Sequence, residues 1–287
     1  MNWIILTIIA ITARATYSLG TRLLSRDVKV SPITQSFLLT LASGFLVLLF
    51  NPLIGGLDFS GVRSNLLTLG LIVITSVAGN IIYFVGQKKL DAGITQIAFS
   101  SILIWGGILS VLFLNSSFSA QQIIGILILL AAIILVQYKK GGVSISPSVI
   151  YIIVSAILFA VFQVGSAKVS TTISAGAYLL ITSFGTAITI LVIYFNKISE
   201  DYSKLVPQLK NTFSKTLFAS GTSSLYMVFS FMAYKVAPDK GVVVVLLTSQ
   251  VILSVIFGII FLKEKDNISK KVLAGILAFI AGIFIKS

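Results

Sequence analysis

The run QQIIGILILLAAIILVQY, residues 121–138, contains Ile124-Gly125-Ile126-Leu127 followed by Ala131 and Ile133. The same order returns half a chain length later as Ala274-Gly275-Ile276-Leu277 followed by Ala281 and Ile283. Ahead of the first run, Phe118-Ser119 lies over Ile268-Ser269 ahead of the second, and both serines suit helix N-caps. Nearer the front of each half, Tyr17-x-x-Gly20-Thr21 lies over Phe162-x-x-Gly165-Ser166, and Lys89-Leu90 lies over Lys235-Val236 with a small gap. Matches that keep their order over several segments indicate an internal repeat, dividing the chain into residues 1–142 and 143–287.

Between these markers the chain is apolar almost throughout. It has 287 residues, 57% hydrophobic and 10% charged, with a mean hydropathy of +1.07, far from the composition of a soluble domain. A net charge of +13 would in a soluble protein point to nucleic acid. The apolar majority overrides that, leaving membrane lipids and a small solute as the expected partners. The sequence contains neither cysteine nor histidine, which excludes disulfides, thiolate metal sites, thiol nucleophiles and imidazole acid/base chemistry.

A bilayer core takes roughly 20 apolar helical residues to cross. Stretches of that kind run from Trp3 to Leu24, Ile33 to Leu53, Leu66 to Gln87, Ala92 to Leu114, Gln121 to Tyr138, Pro147 to Lys168, Ser174 to Phe195, Phe213 to Tyr234, Gly241 to Leu262 and Lys271 to Ile285. Ser31-Pro32, Asn51-Pro52, Asn115-Ser116-Ser117, Gly141-Gly142 and Pro238-Asp239 separate them. Residues 196–211, with Glu200, Asp201, Lys204 and Lys210, form the one stretch expected to be a sizeable solvated loop. Open sheets leave unsatisfied backbone in lipid and the runs lack barrel alternation, so the spans must be helices. No Lys or Arg precedes the first run, so Ala13-Arg14-Ala15 reads as part of a retained first helix rather than a cleavage site. The expected fold is an all-α integral membrane protein of ten transmembrane helices, arranged as two five-helix repeats. An odd number of spans per repeat inverts one copy against the other, an arrangement associated with secondary transporters.

Phe261-Leu262-Lys263-Glu264, then Ser269, then Ala274-Gly275-Ile276-Leu277, resembles the ending of the second half in the drug/metabolite transporter superfamily, EamA type. The resemblance covers essentially the whole chain. It departs from the family pattern where Lys263 replaces a glycine, where Phe113-Leu114-Asn115 carries no acid, and where the fourth and ninth spans lack a common proline. The resemblance implies a central cavity lined by the first, third and fourth helices of each half.

Arg14 stands near the middle of the first span, where an arginine costs about 2.5–3.5 kcal/mol to insert. One explanation is that it faces the cavity and pairs with a carboxylate or phosphate of the substrate. The other is structural: it caps carbonyls of a broken helix or reaches toward an interface. Tyr17, Asn80, Tyr83, Gln163 and Tyr226 form the next tier of substrate-binding candidates, followed by Gln96, Trp105 and Gln250. All of these also suit ordinary helix packing. Gly125 with Ala132, and Gly275 with Gly282, read as packing seams, holding the halves together or facing another protomer, so monomer and homodimer both remain open. Lys88, Lys89, Lys168 and Lys235 read as headgroup-contacting residues at span ends.

None of the eight acids falls within a span. Proton-coupled export of cationic drugs needs an intramembrane carboxylate and is disfavoured, and no phosphate-loop motif supplies an ATP motor. The expected function is secondary transport of small metabolites, amino acids or related polar or anionic solutes, in the export direction, with no catalytic residue, metal or cofactor. A lipid flippase on the same fold is the alternative. An enzyme acting on lipid-linked substrates would have only Glu200-Asp201 and Glu264/Asp266 to work with. Fifteen Lys and Arg follow odd-numbered spans, and Arg63, Lys168, Lys235, Lys240 and Lys286 lie opposite, so the positive-inside rule puts both termini outside. The family resemblance implies termini inside.

Overall fold

The computed structural model describes residues 2–27, 30–54, 56–90, 92–139, 142–143, 146–263 and 268–286. Its helices are α1 (Trp3–Asp27), α2 (Pro32–Phe50), α3 (Leu66–Gln87), α4 (Ala92–Phe99), α5 (Ile102–Leu114) and α6 (Ala120–Gln137). A two-residue ladder of β1 (Tyr138–Lys139) with β2 (Gly142–Val143) follows. Then come α7 (Pro147–Val169), α8 (Ala175–Ile193), α9 (Phe195–Glu200), α10 (Tyr202–Val236), α11 (Lys240–Leu246), α12 (Gln250–Leu262) and α13 (Ile268–Lys286). Asp91, Gly141, Glu264 and Asp266, and the side chain of Gln96, lie outside what is described.

Local chemistry sets the helix starts. Ser31-Pro32, Ser146-Pro147 and Ser174 begin α2, α7 and α8, each serine hydroxyl accepting from the backbone N–H three residues on. At the start of α1 the Asn2 side-chain oxygen accepts from the backbone N–H of Ile4, two residues on. Ser119 forms a reciprocal capping box with Gln122: each side chain accepts from the other's backbone N–H, at 3.2 and 2.9 Å. Ser269 instead lies one residue inside α13.

Three expectations about the elements are corrected. Residues 196–211 are not a solvated loop: α9 and the first turns of α10 occupy them, with Pro207 costing α10 one backbone bond. The eighth apolar stretch accordingly belongs to a helix that begins at Tyr202. The fourth and ninth stretches are each broken, at Ser100-Ser101 between α4 and α5 and at the tight turn Leu247–Ser249 between α11 and α12. At the second break, Thr248 and Ser249 hydroxyls donate to the carbonyls of Val245 and Leu246 at 2.6 and 2.8 Å. Hydroxyls that compete for backbone partners interrupt the helix where the expected proline is missing.

Among the described residues, five helical stretches are long and apolar enough to cross a membrane: Trp3–Leu24, Pro32–Phe50, Arg63–Gln87, Pro147–Val169 and Ala175–Ile193. Shorter apolar helices accompany them at Ile102–Leu114, Ala120–Ala132 and Lys240–Ser249. Large aliphatic side chains point outward, Leu67 at 93% exposure and Leu49 at 74%, while Thr34, Ser110, Ser155 and Thr186 are buried. An apolar exterior of this extent needs lipid around it. Buried hydroxyls turn back on their own helix, as Thr7 to Trp3 and Thr75 to Leu71, both 2.8 Å, or cross to a neighbour, as Ser155 to the Gly79 carbonyl at 2.8 Å.

The principal packing partners are α1 with α10, α3 with α7, α6 with α13, and α2 with α8. Gly20 and Gly165 permit two of these approaches. A Cβ on Gly20 would stand 3.2 Å from the Ala219 Cα of α10, and one on Gly165 would stand 2.9 Å from Ile72 Cγ1 of α3. The α6–α13 contact buries Ala132, Ala274, Ala278 and Ala281, so the small-residue stripes serve as a seam within the chain.

A caged arginine in a polar cavity

Arg14 projects from α1 into a ring of aromatic side chains. Its guanidinium carbon lies 5.0 Å from the ring centroids of Tyr17 and Tyr226, 5.3 Å from Phe99 and 5.5 Å from Phe159. Tyr17 is on α1 itself, Tyr226 on α10, Phe159 on α7 and Phe99 at the end of α4, where the broken helix lets it turn inward. Each such contact is worth about 0.5–2 kcal/mol, more as water is excluded. Among the described residues no carboxylate pairs with Arg14, and the rings offset its charge only in part.

The cavity in front of Arg14 is about 50 Å³, room for a few water molecules. Tyr17, Phe159, Phe162, Gln163, Tyr226 and Met227 form one wall; Thr40, Ser43, Ser76, Asn80, Thr182, Ser183, Thr186 and Ser223 form a hydroxyl- and amide-bearing one. Asn80 donates to the Ser76 carbonyl at 2.8 Å, and Gln163 Nε2 donates to Tyr226 Oη at 2.8 Å. Gln163 Oε1, Ser183 Oγ and Thr186 Oγ1 are buried without a partner. Polar atoms in that state are costly unless something polar occupies the space before them. Behind the Gln163–Tyr226 bond lies a space of about 10 Å³ edged by Ser166, Tyr178, Ser230 and Tyr234.

Five of the sequence candidates, Arg14, Tyr17, Asn80, Gln163 and Tyr226, therefore meet at one cavity. Tyr83 does not reach its lining; it is buried edge-on against Phe84 and Phe99 and so backs the cage wall. Trp105 is 38% exposed on the outer surface, and Gln250 is buried away from the cavity. Phe99, Phe159 and the hydroxyls of α2 and α8 are additions to the candidate set. The α8 group carried a readable signal, since Thr182, Ser183 and Thr186 share a helical face.

The fold is thus that of a helical membrane protein built round a cation-bearing polar cavity. Residues 1–138 match the EamA-like transporter family, a family of the drug/metabolite transporter superfamily. A solved crystal structure is similar over 97% of this chain and 95% of its own, with a TM-score of 0.67 and 14% identity, a likeness of fold. No curated protein matches the sequence.

Proposed function

We propose that this protein is a secondary transporter of small metabolites, amino acids or related polar and anionic solutes, which it exports across the cell membrane by alternating access to the Arg14 cavity. The observation that carries this reading is a half-buried, ring-caged cation that no carboxylate among the described residues pairs with. A charge held in that way is a binding group in need of a solute. Arg14→Ala should abolish transport into proteoliposomes while expression and melting of the apo-protein stay near those of the parent. Undiminished transport would remove Arg14 from the site.

Ten spans in two inverted repeats, residues 1–142 and 143–287, account for the packing. If the halves exchange by a two-fold axis, α1 on α10 becomes α7 on α3, and α5 on α11 becomes α12 on α4; both members of each pair are in contact. The helix breaks correspond, and so do two left-handed residues, Asn115 after α5 and Lys263 after α12, each at φ 55°.

Alternating access needs a closure on each face. At the start of α2, the Asp201 carboxylate accepts from Ser31 N–H at 2.9 Å and from the Thr34 hydroxyl at 2.7 Å. Its counterpart is at the start of α8, where Ser174 Oγ donates to the Asp58 carbonyl at 3.0 Å and accepts from Asp58 N–H at 3.1 Å. In the inverted arrangement these tethers lie on opposite faces, and each joins one half to the other.

A lipid flippase is the second reading, favoured by a lateral crevice of about 440 Å³ between α3, α5 and α7, with Leu71, Phe113 and Val161 on its walls and Lys168 at its edge. Purified protein in liposomes decides between them by moving either soluble solutes or lipid headgroups. A terminal reporter active only in the cytoplasm decides between the orientation given by the basic residues and that of the family.

A further inference from the structure

We infer that the solute of the Arg14 cavity is a small carboxylate of net charge −1, and that the site selects it over the zwitterionic amino acid of the same carbon skeleton. This rests on the reading of the cavity as the solute site and narrows the solute class given above.

Among the described residues Arg14 is the one charged side chain on the cavity lining. Every remaining polar group there is a hydroxyl or an amide, and the free acceptors among them, such as Gln163 Oε1, are neutral. Of the rings about the cavity that could hold an ammonium group, Tyr17, Phe99, Phe159 and Tyr226 are turned on the guanidinium already, at 5.0–5.5 Å. Asp58, Asp201 and Asp239 are committed elsewhere: to Ser60 N–H, to the start of α2, and to Ser116 with the first turn of α11. An amino acid bound through its carboxylate would bring its ammonium to roughly 6 Å from the guanidinium with no acid among the described lining residues to receive it. At an effective dielectric near 20, that repulsion weakens binding on the order of a hundredfold. A 2-oxo or 2-hydroxy group in the same place is uncharged and meets Gln163, Ser183 or Thr186 as a hydrogen-bond partner. A phosphate dianion exceeds the single positive charge available. The cavity volume of about 50 Å³ favours a short skeleton.

The test is calorimetric titration of the purified full-length protein with pyruvate, lactate and alanine, on the parent, on Arg14→Gln and on Ser183→Asp, with apo-state melting as the folding control. Pyruvate and lactate should bind at least about tenfold more tightly than alanine. Arg14→Gln should lose both, and Ser183→Asp, which places an acid in the cavity, should reverse the order in favour of alanine. Alanine binding to the parent as tightly as pyruvate would overturn the selectivity while leaving the cavity as the solute site. If none of the three acids binds and Arg14→Gln retains full transport of another solute, both this inference and the cavity reading fall.

Discussion

Two residues, Arg14 and Lys263, carry conformations or charges that their positions make expensive. Arg14 was conspicuous in sequence because it is the single basic residue away from a loop or a span end. What surrounds it was not readable: Phe99 and Phe159 are ordinary phenylalanines until folding places both rings within 5.5 Å of the guanidinium. Lys263 shows the opposite case. It stands where the sequence resemblance places a glycine, and the backbone there has a glycine-like conformation, φ 55° and ψ 34°, with its N–H donating to the Gly258 carbonyl. A side chain in the left-handed region costs about 1–2 kcal/mol, partly offset by the greater freedom glycine has when unfolded. Lys263→Gly should therefore stabilise the protein by about 0.5–1 kcal/mol, visible as a higher melting temperature in detergent. Asn115→Gly, at the matching position, should gain less, because asparagine tolerates this conformation.

At the scale of elements, helix ends and breaks do more than the apolar runs to place functional groups. The break at Ser100-Ser101 brings Phe99 to the cage, and the hydrogen bonds of Thr248 and Ser249 make the corresponding turn in the second half. The proline common at these places in the resembling family is absent, and at the second break Thr248 and Ser249 interrupt the helix by taking backbone carbonyls instead. The end of α9 matters in the same way, since Asp201 caps α2 across a large sequence separation. Burial pushes the Asp201 carboxyl up, but hydrogen bonds from Ser31 and Thr34, with the charge of Lys197, outweigh it and hold it below its ordinary 3.8. A depressed carboxyl stabilises its contact above the ordinary value and loses that stabilisation only as the pH falls through the lower folded one. The tether should accordingly hold unchanged from pH 5 to 8. Asp201→Asn weakens a charge-assisted contact worth about 1.5–3 kcal/mol. The chain has no native cysteine, so Ser43→Cys in the cavity can be labelled without background. Asp201→Asn should raise its labelling by an impermeant maleimide added on the face where α2 begins, and unchanged labelling would free Asp201 from any part in closure.

Across the whole molecule the opposite face offers the complementary experiment. Gly61, between α2 and α3, lies so close to the Thr172 carbonyl that a Cβ would overlap it, and Asn65 donates to the Thr172 hydroxyl at 3.1 Å beside it. Gly61→Ala should push these loops apart and increase cavity labelling from that face alone, with the Asp201 side unaffected; increased labelling from both faces would mean general loosening. Composition and unbroken apolar runs were sufficient for a helical membrane protein, because a chain with 57% hydrophobic residues cannot hide that surface from water by itself. Arg14 and its polar companions could also be selected in advance, since a charge or amide in lipid needs a partner whatever the fold. The cage, the hydroxyl wall contributed by α2 and α8, the displacement of Tyr83 from the lining and the Asp201 tether came only with the tertiary structure. Those features join residues far apart in sequence, and whether a membrane serine or phenylalanine packs against a helix or faces a cavity depends on which helices meet beside it.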